Sequence, residues 1–164
     1  MYPNSSDGLN KETNNAVYFF TPAFYPLDNF SAHTVEIWEK VFPTAEHAFQ
    51  WKKFAITRPD IAQEILTAKS PHIVKEIADA HKNDIPTTWV DEKVAVMEQI
   101  LSAKADQHKD VREILKKTGT REIIENSPVD SFWGIGPDQK GENNVGKIWM
   151  RLRNTISTHT RPHA

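Results

Sequence analysis

The sequence predicts a mainly α-helical fold, with one compact helical domain and a small β element near its N-terminus. Two observations support this fold class. After Pro43, apolar residues recur at helical spacing along most of the chain, whereas the clearest β-like runs lie before it. The 164 residues contain no internal repeat and no linker that would divide them, and this length suits one domain.

Polar composition marks both ends of the chain. Residues 1–15 are rich in Asn, Ser and Gly, which predicts a disordered segment, and residues 158–164 predict a flexible tail. The folded domain is therefore expected over residues 16–157. The first segment lacks the apolar region of a secretory signal, and no apolar run approaches the length of a membrane span. We expect a cytoplasmic protein without a membrane partner.

Charge and cysteine content exclude several classes of function. The 20 basic and 22 acidic residues nearly cancel, so no strongly basic field attracts the chain to long nucleic acid, although a nucleotide gripped locally is compatible. The chain has no cysteine, which excludes disulfides, a thiolate nucleophile and Cys-ligated zinc. The seven histidines form no HExxH pattern, so no metal site is expected.

The individual elements follow from local patterns. Residues 17–20 form a β-like run, and residues 34–38 and 40–42 are expected to pair as a small hairpin. Gly119 is expected to end the fifth helix, and the short stretch after it is ambiguous. Helices are expected where capping residues, first-turn prolines or apolar periodicity indicate them, over residues 44–56, 59–68, 71–81, 90–105, 111–117 and 144–156.

The first predicted helix carries a polar line beside its apolar face. At about 100° per residue, Glu46, Gln50 and Lys53 fall within an arc of roughly 60°. One interpretation is a solvated edge with a weak contact between acid and amine. The other is a site wall, because Lys52 and nearby aromatic side chains would lower the pKa of Lys53. A partly neutral lysine attacks anomeric carbons, and a nearby carboxyl group protonates a leaving nitrogen.

A glycine-rich loop precedes the last predicted helix. Residues 127–149 contain four glycines and Lys140, and glycines allow close backbone approach and anion-binding N–H groups. Asn143 and Asn144 lie just before a helix N-terminus, which favours phosphate. The loop fits no nucleotide-binding motif, so a plain connector is the alternative. Trp133 is interpreted either as a base-stacking platform or as a core side chain.

Two longer signatures resemble those of the YbiA-like (NADAR) family. The stretch PTAEHAFQWKKF, residues 43–54, resembles the family's P-T-x-E-H-x-x-Q-x-x-K-F. The stretch DSFWGIGPDQKGENNVGKIWMRLR, residues 130–153, is similar to its ending, D-x-x-W-G-x-G followed by K-G-x-N-x-x-G. DNF at 28–30 and WVDEKVAVMEQILSAKADQH at 89–108 are similar to two further family stretches. Order and spacing agree over nearly the whole chain outside its ends.

The resemblance implies a mainly helical domain that hydrolyses N-glycosidic bonds without a metal or redox cofactor. Family substrates include phosphorylated ribosylamine intermediates of riboflavin synthesis and ADP-ribose attached to guanine. The resemblance places the family's acid at Glu46 and its lysine at Lys53, and it adds Asp130 as a third catalytic residue. The substrate-binding residues that it implies are Asn29, Phe30, His47, Gln50, Trp89, Trp133, Gly134, Gly136, Lys140 and Asn143.

The implied reaction suits these residue types. Lys53 would attack C1 of the ribose and hold it as a ring-opened Schiff base, while Glu46 moves the protons. The leaving base would stack on Trp133 or on Trp89, although Trp89 taken alone is interpreted as a core side chain or a pocket wall. Lys140 and the loop N–H groups would hold a phosphate.

The chain departs from the family pattern in three places. Residues 85–88 lack the arginine and aspartate of an R-x-D-W stretch that ends at Trp89, which leaves one phosphate or sugar contact open. Pro137 and Gln139 occupy positions that are commonly glycine-like, so a stiffer loop is expected. Trp51 is unusual at its position and is expected to reshape the pocket entrance.

Three functions stay open at the level of sequence. The first is an N-glycosidase for ADP-ribosylated guanine, free or within modified nucleic acid. The second is the same enzyme class acting on a small ribosylamine phosphate. The third is a module that binds ADP-ribose without cleaving it. Glu46 and Lys53 together favour an enzyme, because a pure binder needs no nucleophile. The oligomeric state is not predicted.

Overall fold

A computed structural model describes residues 4–21 and 23–159, with side chains described as far as residue 156. Helices predominate and the strands are short, which confirms the predicted fold class. The strands are β1 (Lys11–Glu12), β2 (Ala16–Phe19), β3 (Val35–Ile37), β4 (Lys40–Phe42) and β5 (Glu122–Glu125). The helices are α1 (Ala45–Phe54), α2 (Pro59–Thr67), α3 (Pro71–Ala80), α4 (Trp89–Gln107), α5 (Lys109–Lys117) and α6 (Asn144–His159).

The chain divides into two compact units. One unit is Asn29–Gln107, and the other combines Met1–Asp28 with His108–Ala164. We call the first the central unit and the second the terminal unit. The central unit holds the hairpin and helices α1 to α4, and the terminal unit holds the three-stranded sheet with α5 and α6.

The sheet of the terminal unit has the strand order β1-β2-β5. Strand β2 pairs antiparallel with β1 and parallel with β5, which places Val17 opposite Ile123. Both of these side chains are buried, as is usual for β-branched residues in parallel pairs. The ambiguous stretch after Gly119 therefore contains a strand, and its partner lies far earlier in the sequence.

Strand β1 lies inside the segment that composition predicts as disordered. The Asn10 side chain donates from Nδ2 to the Phe20 carbonyl at 2.7 Å, and its Oδ1 accepts from the Phe20 N–H at 3.0 Å. These two bonds have the same pattern as the backbone bonds between paired strands. They stabilise a polar stretch that lacks the apolar residues from which an ordered segment is usually predicted. The predicted tail lies outside the described residues from 160 onward, and α6 reaches His159.

Helix α6 packs closely against β5 at a glycine. A Cβ atom added to Gly146 would lie 2.0 Å from the Ile123 carbonyl oxygen, so only glycine allows this approach. Helix α5 ends as predicted at Gly119, whose φ is +64°.

The central unit begins with the predicted hairpin of β3 and β4. Its two turn residues, Trp38 and Glu39, have φ of 53° and 61°, a geometry that usually selects Asn and Gly. The Trp38 ring stacks on Trp51 of α1, with ring centres 6.0 Å apart, and the Lys52 ammonium lies 4.7 Å from the Trp38 ring centre. These contacts offset the backbone strain and attach the hairpin to α1.

Helix α1 lies at the middle of the central unit and contacts α2, α3 and α4. The predicted signals at the helix starts are confirmed, because the Thr44 and Ser70 side chains cap α1 and α3, and Pro59 opens α2. Buried side chains of α1, α2 and α3 form one core cluster, which consists of Phe54, Ile61, Ala62, Ile65, Val74 and Ala78. In the part of the chain that the structure describes, no helix has the length and apolarity that a bilayer crossing requires.

Candidate active site

The first turn of α1 is fixed by Thr44 and His47. The Thr44 hydroxyl accepts from the His47 N–H at 3.2 Å, which is the predicted N-cap. The Nδ1 atom of His47 accepts from that hydroxyl at 2.8 Å, and its Nε2–H donates to the Ala68 carbonyl at 2.9 Å. His47 therefore joins the start of α1 to the residue that follows α2.

His47 was expected to bind substrate, and the structure places it differently. Both ring nitrogens are engaged by the protein, and the side chain is buried. Burial also lowers the pKa of His47, so the ring is neutral at pH 7. These contacts support a structural role, in which His47 holds the neighbouring Glu46 in place.

Glu46, Gln50 and Lys53 form the predicted line along α1. Glu46 is 7% exposed, and its Oε1 accepts from Gln50 Nε2 at 2.8 Å. Lys53 lies two turns after Glu46, about 10 Å along the helix axis, and side chains on a helix lean towards its N-terminus. The line is buried along Glu46 and Gln50, so the interpretation as a solvated edge is wrong.

Burial shifts both ionisable groups of this line towards their neutral forms. Burial raises the pKa of Glu46, and the Gln50 hydrogen bond and the Lys53 charge oppose the rise only in part. Burial lowers the pKa of Lys53, against the opposing charge of Glu46. Both shifts favour a neutral acid and a free amine, which are the forms that acid–base and nucleophilic chemistry use.

Aromatic rings supply the apolar surroundings of Lys53. Its ammonium lies 5.3 Å from the ring centre of Phe49, and that ring in turn lies 5.3 Å from the ring of Trp89. Trp89 is the first residue of α4 and is buried. Its placement supports the interpretation as a core side chain that backs the lysine through Phe49.

Asn29 and Phe30 lie in the loop before β3. The Asn29 carbonyl accepts from the Glu46 N–H at 3.1 Å, so the backbone of this loop is bonded to the first turn of α1. The Asn29 side chain is 7% exposed, and its Nδ2 lies 3.5 Å from Met97 Sδ. Phe30 is half-buried, and its ring meets the His72 ring edge-on at 4.9 Å. Of the predicted residues, Asn29 and Gln50 are therefore each hydrogen-bonded to Glu46.

A buried lysine that sequence patterns did not single out supports this loop. Lys104 of α4 is fully buried, and its Nζ donates to Ser31 Oγ at 2.7 Å. Ser31 follows Asn29 and Phe30, so Lys104 fixes the loop that carries them. The available signal was a lysine on the apolar period of α4, beside Ile100 and Leu101.

The glycine loop belongs to the terminal unit, and two of its predicted site residues shape its backbone. Oδ1 of Asp130 accepts from the N–H groups of Phe132 and Trp133 at 2.9 and 2.8 Å. The Asn143 side chain is bonded along β5, donating to the Ile123 carbonyl and accepting from the Glu125 N–H, each at 2.9 Å. Both contacts support positioning roles for these side chains.

The predicted anion-binding N–H groups are mostly used within the loop itself. The N–H groups of Asn144 and Val145, at the start of α6, donate to the carbonyls of Phe132 and Trp133. The expectation of a phosphate at this helix N-terminus is wrong at these two donors, because they already have acceptors. Lys140, the other phosphate contact predicted in this loop, is exposed. Its ammonium is therefore accessible to solvent and to ligands.

The glycines of the loop allow its tight path. A Cβ on Gly134 would lie 2.6 Å from the Glu125 carbonyl oxygen, and Gly136 has φ of +69°. Gln139 has φ of +60°, which explains why a glycine-like residue is expected at its position. Trp133 is half-buried and meets the Phe132 ring edge-on at 4.8 Å, so it is not a fully buried core side chain.

Comparison with known proteins identifies relatives over most of the chain. The NADAR domain family matches residues 10–157. An N-glycosidase from Nostoc punctiforme is 34% identical over 131 residues, which cover 79% of this chain and 84% of that protein. A riboflavin biosynthesis protein of Zea mays, PYRR, is 32% identical over 159 residues, which cover 88% of this chain but 26% of that longer protein.

The Escherichia coli protein YbiA, which is named an N-glycosidase, is 31% identical over 131 residues, which cover 80% of this chain and 81% of YbiA. Its NMR structure matches the fold with a TM-score of 0.80 over 95% of both chains, at 26% identity. These relatives confirm the family and the enzyme class that the two signatures imply. The chain therefore belongs to the NADAR family, and it is an enzyme of the N-glycosidase class.

Proposed function

We propose that this chain cleaves the C–N bond between ribose and guanine in ADP-ribosylated guanine, with Lys53 as the nucleophile and Glu46 as the acid and base. The observation that carries this proposal is the burial of Glu46 on the same line of α1 as Lys53, with both pKa values displaced towards the neutral forms. A neutral amine and a protonated acid are the forms that the first chemical step requires.

In the first step, the lone pair of Lys53 Nζ forms a bond to C1 of the ribosyl group as the C1–N bond to guanine breaks. The Glu46 carboxylic acid gives its proton to the leaving nitrogen, and the resulting carboxylate takes a proton from Nζ. Guanine leaves neutral, and the ribosyl group is held on a secondary amine. Glu46 is again protonated for the next step.

In the second step, Glu46 protonates the ring oxygen, the C1–O bond breaks, and the Nζ lone pair forms a protonated Schiff base. Water then adds to C1 and loses a proton to the Glu46 carboxylate. Transfer of a proton to Nζ breaks the C1–N bond as the aldehyde forms, which regenerates neutral Lys53 and protonated Glu46. The sum is hydrolysis, with one water consumed and no net proton change.

A second candidate substrate is a phosphorylated ribosylamine of riboflavin synthesis. The similarity to the Zea mays riboflavin biosynthesis protein favours it, because that similarity covers 88% of this chain. The same Lys53 and Glu46 chemistry applies, since this substrate also carries a ribosyl C–N bond. The third alternative, a module that binds ADP-ribose without cleaving it, gives no reason for a buried acid on one line with a lysine.

The decisive experiment is a paired turnover assay. One arm contains guanine-ADP-ribosylated oligonucleotide, and the other contains the ribosylaminopyrimidine phosphate. Lys53→Met and Glu46→Gln serve as controls in both arms, and each must keep the far-UV circular dichroism of the native protein. Release of ADP-ribose by the native protein and its loss in Lys53→Met supports the proposal. Cleavage of the pyrimidine alone selects the second candidate. ADP-ribose binding without cleavage in either arm selects the binding module.

A further inference from the structure

Two residues that are hydrogen-bonded to Glu46 each carry a buried carboxamide oxygen without a hydrogen-bond partner. These oxygens are Asn29 Oδ1 and Gln50 Oε1, and only one other buried side-chain oxygen, in Glu12, shares this property among the described residues. The amide nitrogens of both residues are engaged, at Met97 Sδ and at Glu46 Oε1. Each amide therefore directs its donor to the protein and leaves its acceptor unmatched.

The two residues are attached to Glu46 from opposite directions along the chain. The Asn29 carbonyl accepts from the Glu46 N–H, and Gln50 lies one turn later on α1 with its Nε2 on the Glu46 carboxyl group. The same two residues thus hold the group that exchanges protons with atoms on C1 of the substrate. Because both residues are bonded to Glu46, we expect the groups that satisfy the two oxygens to lie near the reacting carbon.

The chemistry of the two oxygens restricts the matching group. A buried carbonyl oxygen without a donor costs free energy, and native proteins rarely keep such an atom unless water or a ligand satisfies it. Two acceptors beside a carboxyl group repel a phosphate or another anion. They attract a neutral group that brings two hydrogen-bond donors, and the carbon next to C1 of a ribosyl group carries a hydroxyl.

We infer that Asn29 and Gln50 accept hydrogen bonds from the two ring hydroxyls of the ribosyl group that reacts. The inference rests on the proposed function and adds a preference for one sugar to it. The enzyme requires a ribosyl group and rejects the 2-deoxyribosyl group, in both candidate substrates. Hydrogen bonds to the hydroxyl beside C1 strengthen as glycosidic bonds break, so this hydroxyl contributes to kcat as well as to binding.

The test uses three substrates that share one leaving base and one phosphate and differ in the sugar: ribosyl, 2-deoxyribosyl and 3-deoxyribosyl. Loss of either hydroxyl is expected to lower kcat/KM at least about a hundredfold, because a site that binds a hydroxyl strongly rejects its absence. Loss of the hydroxyl beside C1 is expected to lower kcat. Without enzyme, the C–N bond of a 2-deoxyribosyl group breaks more readily than that of a ribosyl group. Faster cleavage of the ribosyl substrate would therefore come from recognition by the enzyme and not from the reactivity of the substrate.

Variants then test whether Asn29 and Gln50 cause the preference for the ribosyl group. Asn29→Leu and Gln50→Met replace an acceptor by an apolar group of similar size, and each is expected to reduce the ribosyl preference to below about tenfold. Asn29→Asp keeps an acceptor and is expected to keep the preference. If a variant does not fold, the native protein's substrate series still decides.

Equal cleavage of the ribosyl and deoxyribosyl substrates by the native protein would overturn the inference and leave the proposed function intact. A preference that persists in full in both folded apolar variants would also overturn it. Failure to cleave even the ribosyl substrates of both candidate classes would overturn the proposed function, and the inference with it.

Discussion

At the scale of single residues, the chemistry of the site depends on how burial shifts the pKa values of Glu46 and Lys53. Glu46 is buried, so its neutral form is favoured, and the apolar rings near Lys53 favour the free amine. Each charge still supports the other, because the Glu46 carboxylate raises the pKa of Lys53. The protonation states that the proposed reaction needs are therefore coupled, and the two pKa values belong to the pair.

This coupling predicts the effect of Glu46→Gln on the pH profile. In the native protein, kcat/KM is expected to rise with pH as Lys53 loses its proton and to fall as Glu46 loses its own. Removing the carboxylate lowers the pKa of Lys53 further, so the rising limb moves to lower pH and the falling limb disappears. The value of kcat/KM is expected to fall about a hundredfold or more, because the group that carries the proton is lost.

Glu64→Gln, which changes an exposed acid on α2, is the control and is expected to keep the native pH profile. A rising limb that moves to higher pH contradicts the coupling.

His47 predicts a pH dependence of stability. Its folded-state pKa lies below the ordinary 6.5, so the unfolded chain binds the proton more readily. The free energy of unfolding therefore falls as pH decreases below about 6.5, by about 1.4 kcal/mol for each unit of pKa displacement. Urea unfolding at pH 7.5 and 5.5 measures this. His47→Gln is expected to lose this part of the slope, while His108→Gln retains it. An identical slope in native protein and His47→Gln would show that His47 does not titrate with folding.

At the scale of elements, Gly146 decides how closely α6 approaches β5. Helix propensity alone predicts that Gly146→Ala stabilises the helix by about 1 kcal/mol. The contact of 2.0 Å between the added Cβ and the Ile123 carbonyl predicts the opposite, because neither backbone can move without loss of packing. We expect a loss of about 3 kcal/mol or more in the free energy of unfolding, measured by urea denaturation.

Gly119→Ala is the control. Its φ of +64° strains an alanine, but the space around it is open, so a loss of about 1 kcal/mol in the free energy of unfolding is expected. An unchanged stability of Gly146→Ala would contradict the close contact.

The elements also show what sequence patterns predict and what they miss. Thr44, Ser70 and Pro59 marked helix starts correctly, because caps and first-turn prolines act within a few residues of chain. Strand β5 was ambiguous, because its parallel partner β2 lies far away in sequence and no local period reveals it. The stripe on α1 was visible as spacing, but its burial depends on other helices.

At the scale of the whole molecule, the near balance of charge predicts the response to salt. With a net charge of −2, the protein has little capacity to displace counterions from long nucleic acid. The value of kcat/KM for an ADP-ribosylated oligonucleotide is therefore expected to fall less than about tenfold between 50 and 200 mM salt. A modified mononucleotide is expected to react within about tenfold of the oligonucleotide. A steep salt dependence of the oligonucleotide alone would indicate extended backbone binding and contradict recognition of a single nucleotide.

Site prediction was limited by a different physical cause. The family signatures placed Glu46, Gln50 and Lys53 on one line of α1, where Glu46 and Gln50 are buried and Lys53 is half-buried. The same signatures proposed substrate contacts for His47 and Asn143, whose polar atoms bond within the protein. A motif records which residues are needed, and it does not distinguish a side chain that touches substrate from one that holds the backbone.

The central claim, a covalent Schiff base on Lys53, is tested most directly by reductive trapping. The native protein is incubated with ADP-ribosylated guanine substrate and cyanoborohydride, which reduces a protonated Schiff base to a stable amine. Peptide mass spectrometry then locates the adduct. We predict a ribosyl-derived mass on Lys53 and progressive inactivation, with the same adduct in Lys52→Met and none in Lys53→Met. Undiminished turnover without any adduct on Lys53, or substantial activity in a folded Lys53→Met protein, would contradict the covalent mechanism.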